Sequence, residues 1–227
     1  MIATRLLCAV APLAFAVACA SPCRAGEYLV PDDYATIQDA VDEAAGSLDA
    51  ANIVIIGQSP IYVSTEVLIG ADFDAGHRLV IRPGGLPKLI RATVASTSNT
   101  ELVFHLETTQ YVTIQDLDIV RYTTNRGDLM RLASCENVTL ERCRIGSIWT
   151  APGEPNHHIL QITYPKDVIV RNSVFFSYLP GEFNRSIILQ SMSDDDRSVF
   201  AGHRSVTLVD VLQSKLAVRA NPDARTD

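Results

Sequence analysis

Short runs in which apolar and polar residues alternate fill most of the chain, and the runs repeat. Four segments align residue for residue: Tyr111 to Ile119, Asn137 to Ile145, Asp167 to Phe175 and Ser205 to Gln213. Their second residues, Val112, Val138, Val168 and Val206, lie 26, 30 and 38 residues apart, and a weaker copy begins at Leu79. Leu106, Leu132 and Ile162 stand six residues before the first three of these valines, and Phe104, Met130 and Leu160 stand eight before. Ile114, Leu140, Val170 and Leu208 continue the alternation two residues after. A period of two marks strands with one buried face. Repetition at this spacing marks a solenoid, whose copies bury their apolar face only by stacking on one another.

Within each copy the alternation breaks twice. A short polar turn comes first (Thr108 to Gln110, Ser134 to Glu136, Tyr164 to Lys166). A tighter bend follows at Asp116, Arg142, Asn172 and Asp210, where Asp and Asn suit left-handed φ. Length varies almost only in a third connection, at 121–128, 146–158 and 177–186. Three short strands per coil with one variable corner predict an all-β fold, a right-handed parallel β-helix of about four to five coils. Leucine-rich repeats would need a helix-like half, and propeller blades a longer period of about 40–45 residues.

The segment before the strands is different. Ile37, Ala40, Val41 and Ala44 fall on one helical face, with Thr36 as N-cap and Gly46 as stop. A lone amphipathic helix there is the cap that a solenoid end requires. Met1 to about Ala25 has Arg5, an apolar stretch from Leu6 to Ala18, and small-x-small sites at Ala18-Cys-Ala20 and Cys23-Arg-Ala25. It reads as a secretory signal cleaved between about Ala20 and Ala25, which gives an extracytoplasmic protein and a stretch too short to span a membrane. The expected organisation is signal 1–25, helical cap 26–50, β-helix 51–213 and polar tail 214–227. The tail shows no further repeat, so an open last coil is expected to invite self-association or to mark a truncated member of a longer family.

With 19 basic and 26 acidic residues, net charge −7, a nucleic-acid partner is disfavoured. Cys143 takes the inward position shared by Leu117 and Ser173, so it reads as a small core residue. His157-His158 is no metal pair, because neighbours on an extended chain point apart.

Tyr34-Ala-Thr-Ile-Gln-Asp-Ala-Val41, followed by Asn52-Ile-Val-Ile-Ile56 and the V-T-I/L repeats, resembles the pectin-lyase-like superfamily over about residues 28–213. The resemblance implies a secreted β-helix that binds, and in active members processes, an extracellular polysaccharide, typically a uronate polymer. It places the substrate cleft on the outer face of the strands that carry His105, Arg131 and Gln161, extended by Gln190. The flanking loops then contribute Arg126, Asp128, Glu154, His157, Glu182 and Arg185, with Tyr122, Trp149 and Tyr178 as stacking platforms. No complete catalytic signature of a lyase or glycoside hydrolase is present: Gln115-Asp116 and Gly202-His203-Arg204 are fragments only. For a lyase the candidate bases are Arg131 and Lys166, with Glu or Asp loop residues to hold a cation such as Ca²⁺ against substrate carboxylates; no cofactor is otherwise called for. The rival expectation is a non-catalytic cell-surface or adhesion module.

Overall fold

The computed structural model describes residues 25–70, 72–84, 89–96, 102–123, 128–149, 158–178, 185–190, 206–209, 212–213 and 216–219. Strand β1 (Ala25–Val30) precedes helix α1 (Ile37–Gly46). Coils then follow in threes: β2 (Ala51–Ile56), β3 (Ile61–Val63) and β4 (Val67–Ile69), then β5 (Arg78–Pro83), β6 (Ala92–Ser96) and β7 (Phe104–Glu107). The next two are β8 (Val112–Gln115), β9 (Leu117–Thr123) and β10 (Met130–Ala133), and β11 (Thr139–Glu141), β12 (Arg144–Trp149) and β13 (His158–Thr163). Last come β14 (Val168–Arg171), β15 (Val174–Tyr178) and β16 (Arg185–Gln190), and β17 (Val206–Val209), β18 (Leu212–Gln213) and β19 (Leu216–Arg219).

Every named strand pairing is parallel and joins strands one coil apart. Three sheets of seven, six and six strands result, which is a right-handed parallel β-helix. The first sheet runs β1-β2-β5-β8-β11-β14-β17, the second β4-β7-β10-β13-β16-β19, and the third β3-β6-β9-β12-β15-β18.

The inward rows are those the alternation predicts. Leu106, Leu132 and Ile162 stand in register, as do Ile114, Leu140, Val170 and Leu208. Of these all but Leu208 are fully buried. The row of index valines begins at Leu79 and, one coil earlier, at Asn52. Asn52 is a buried amide in an apolar row, satisfied by the Tyr28 hydroxyl (3.0 Å) and by donating to the carbonyls of Asp49 and Arg78. The tight bends also match: Asp116, Arg142 and Asn172 have φ of 58°, 52° and 51°.

Helix α1 starts with a capping box between Thr36 and Asp39, buries Ile37, Ala40, Val41 and Ala44, and packs on β1, β2 and β4. Gln38 meets the edge strand β4 with both ends of its amide: Oε1 accepts from the Leu68 N–H (2.7 Å) and Nε2 donates to the Leu68 carbonyl (3.1 Å). The helix therefore hides apolar surface and also occupies backbone groups that a sheet edge would otherwise leave open. His77 completes the junction, with one ring nitrogen 2.9 Å from the Ala44 carbonyl near the helix end and the other 3.0 Å from that of Asp72.

Two boundaries differ from expectation. The stack begins at β1 rather than at residue 51, because Tyr28 and Val30 extend the inward rows of Val54 and Ile56. It continues past residue 213, because Leu216–Arg219 pairs with Ile187–Gln190. A four-residue strand after a two-residue one is too short to announce itself by periodicity. The expected signal, residues 1–25, lies outside the described residues except for Ala25.

Candidate functional site

His105, Arg131 and Gln161 occupy the middle of β7, β10 and β13 and face each other across adjacent strands. They lie between the inward pairs Phe104/Leu106, Met130/Leu132 and Leu160/Ile162, so alternation turns them outward. Parallel strands about 4.8 Å apart set these groups at one repeat per coil. Arg131 donates from Nε to the Gln161 amide oxygen (2.9 Å) and from Nη2 to Asp128 (3.2 Å). Its Nη1 makes no hydrogen bond among the described residues, and its side chain is 41% exposed. His105 Nδ1 sits 3.5 Å from the Glu66 carboxylate. The result is a line of donors and acceptors from Glu66 through His105 and Arg131 to Gln161, with Asp128 at its side.

Apolar residues bound this line. Leu68 precedes His105 in register, and Ile188 follows Gln161. Gln190 pairs with Thr163 instead, two residues along, so it does not extend the row as the sequence reading had it. The spacing in sequence between Gln161 and Gln190 hides the two-position offset that the strand register fixes.

Asp128 is drawn to the line by a buried cation. Arg121, 1% exposed at the end of β9, donates from Nη2 to the Asp128 carbonyl at 2.6 Å. Burial pushes its guanidinium pKa down, opposed by the Asp128 charge. One residue thus fixes the backbone of Asp128 while the Asp128 carboxylate holds Arg131. From the sequence Asp128 falls in a flanking loop, and Arg121 falls at the start of the same 121–128 connection, whereas the structure carries the strand through Thr123 and buries Arg121.

Lys166 stands elsewhere, on the first turn, where Gln110, Glu136 and Lys166 bridge in parallel on successive coils. Its ammonium lies 2.5 Å from Glu136, and that hydrogen bond raises its pKa. A general base must shed its proton near working pH, so this environment acts against the role. Arg131 donates through Nε and Nη2, and a guanidinium that keeps its protons is likewise ill suited to act as a base.

A second polar stack follows the tight bend. Arg142 grips Asp116 with two bonds of 2.7 Å and contacts Glu141, which accepts from Arg171 at 2.8 Å. Arg91 bonds Asp118 and the Arg142 carbonyl, both at 2.9 Å, and Arg144 reaches Asp118 at 3.5 Å. Here each arginine meets a carboxylate from a neighbouring coil, as Asp116 and Arg142 do at equivalent positions of adjacent coils.

Arg126, Glu154, His157 and Glu182 lie outside the described residues, so of the loop carboxylates expected to hold Ca²⁺ only Asp128 is described. Among the described residues no group of three or more His, Cys, Asp or Glu gathers as a metal site. Arg185 is placed by its backbone alone, paired with His158. Tyr122 lies within β9 and shares its register with Ile148 and Tyr178, whereas Trp149 pairs with Thr123, one position on. Among the described residues no helix is long and apolar enough to cross a membrane. Cys135 and Cys143 are buried free thiols, as the inward position of Cys143 implied.

No family model, curated protein or solved structure matches the chain.

Proposed function

We propose that this is an exported β-helix protein that binds an extracellular polysaccharide along the outer face of β7, β10 and β13. One observation carries the reading: His105, Arg131 and Gln161 repeat in register on neighbouring strands, with the solvent-facing edge of a guanidinium at the centre. A linear polymer presents hydroxyls and carboxylates at a regular interval, and a row of regularly spaced polar groups is the complement to it. The resemblance of the Thr36-Ile-Gln38 segment and the repeats to the pectin-lyase-like superfamily supports the ligand class, and the signal-like residues 1–25 support export.

The pairing of Lys166 with Glu136 and the engagement of Arg131 with Asp128 favour binding over cleavage within the described residues. The protein is therefore read as a surface or adhesion module built on an enzyme-like scaffold. The test is incubation with a panel of neutral, uronate and sulfated polysaccharides in calcium, following new unsaturated ends and reducing ends, beside retention on columns of the same polymers. Retention without product supports the binding module. Product formation would overturn it in favour of a lyase or hydrolase, and neither retention nor product would remove polysaccharide as the ligand.

A further inference from the structure

The coil formed by β2, β3 and β4 departs from those behind it at its third corner. Only Ser64, Thr65 and Glu66 separate β3 from β4, whereas six to eight residues separate the corresponding strands in the next four coils. Where the connection is short the corner stays open, and a cavity of about 70 Å³ lies there between the connection and the start of α1. A single water needs roughly 10–15 Å³ on this measure, so the space admits several waters or one small ring.

The groups around it divide in two. On the helix side, the Thr36 hydroxyl is occupied by the Asp39 N–H, and the Gln38 amide by Leu68 and Asp42. The strand side is less committed. Tyr62 is 63% exposed, a large solvent-facing aromatic, and the hydroxyls of Ser64 and Thr65 make no hydrogen bonds among the described residues. The Glu66 carboxylate lies between the cavity and His105 Nδ1. An exposed phenol ring beside hydroxyls and one carboxylate offers an apolar platform and a polar rim together.

We infer that this notch is a binding site for a single neutral pyranose, its C–H face stacked on Tyr62 and its hydroxyls bonded to Ser64, Thr65 and Glu66. The carboxylate sets the specificity, since a uronate ring would bring like charge against Glu66. Through Glu66 the notch adjoins the head of the His105–Arg131–Gln161 line, so it is the terminal subsite of that face. The ligand class rests on the polysaccharide reading; the site itself rests on the cavity and Tyr62.

The test titrates the ¹⁵N-labelled protein with methyl β-D-glucopyranoside and, separately, with sodium glucuronate, two rings that differ chiefly in the carboxylate. The glycoside should give saturable amide shifts confined to residues 35–38 and 62–67, and glucuronate should bind about tenfold more weakly. Tyr62→Ala should abolish the shifts, Tyr62→Phe should keep them, and Glu66→Gln should narrow the difference between the two sugars. Spectra unchanged elsewhere show that each variant is folded. No saturable shift in these residues, or equal binding by Tyr62→Ala, would overturn the proposal. Polymer retention without notch shifts leaves the β7–β10–β13 face standing and the notch refuted; notch shifts without polymer retention do the reverse.

Discussion

At the tight bend, Arg142 commits Nε and Nη2 to Asp116 and Nη1 to Glu141, while on the face of β7, β10 and β13 Arg131 commits only Nε and Nη2, to Gln161 and Asp128. Both are columns of polar side chains spaced by the same strand pairing, and a sequence repeat generates both. They differ in how completely the charges close. An arginine whose three nitrogens all bond carboxylates, as those of Arg142 do, has little left to offer a ligand. One that keeps donors toward solvent has paid part of the ordering entropy of binding in advance, because packing and neighbours hold the groups in place. Regular spacing alone does not mark a site; residual hydrogen-bonding capacity does.

The harshest way to break the comparison is to disturb the core on which both stacks stand. Leu140 is fully buried in β11, between Ile114 and Val170. Leu140→Ala should cost about 2–5 kcal/mol, the transfer loss plus the cavity left behind. Cys135 and Cys143 report on it, since burial pushes their thiols up to about 12 and about 11, leaving almost no thiolate at pH 8. Both should resist a thiol reagent in the native protein and react faster in the variant. Equal labelling rates and an unshifted urea midpoint would mean that the rows do not form one core.

A reciprocal pair of variants separates the stacks. Asp116→Asn keeps a residue that tolerates the φ of 58° and removes the charge facing Arg142. It should cost about 1–2 kcal/mol and leave polysaccharide retention unchanged. Arg131→Ala combined with Gln161→Ala should weaken retention about tenfold, the loss of one or two hydrogen bonds to a ligand, with little change in melting temperature. If Asp116→Asn lowers retention, or the double variant does not, the assignment of roles is reversed.

Most of the fold was legible because stacking makes the same demand in every coil. Inward rows, the helix face, its Thr36 cap and the bend at Asp116, Arg142 and Asn172 each answer to one local rule repeated several times. What escaped depended on register or on unfavourable residues. The first turn carries positive φ at Thr108, Ser134 and Tyr164 and again at Tyr111, Asn137 and Asp167. Thr and Tyr there resist left-handed backbone at a cost of about 1–2 kcal/mol each, so their identity argues against the conformation that stacking imposes. Of the candidate site, the row His105, Arg131, Gln161 follows from alternation. Its supports, Arg121 behind Asp128 and Glu66 beside His105, join residues from different strands and leave no local signature.

The finest test is titration of the bend itself. The hydrogen bond from Arg142 holds the Asp116 carboxyl below its ordinary value of 3.8, with smaller help from the charges of Arg142 and Arg91 and against the cost of partial burial. A carboxyl whose folded pKa is depressed stabilises the native state above the unfolded pKa, and that stabilisation is lost as the pH falls through the folded value. The gap in unfolding free energy between the native sequence and Asp116→Asn should therefore be constant from pH 7 down to about pH 5 and shrink below the ordinary carboxyl range. Arg142 is 43% exposed, so added salt should shrink the gap at pH 7 as well. Urea titrations of both proteins at pH 7 and pH 3, each at low and high salt, measure it. An equal gap in all four conditions would mean that Asn at this bend costs stability through shape alone. The stack would then be a steric column, and its difference from the β7–β10–β13 face would not be one of charge closure.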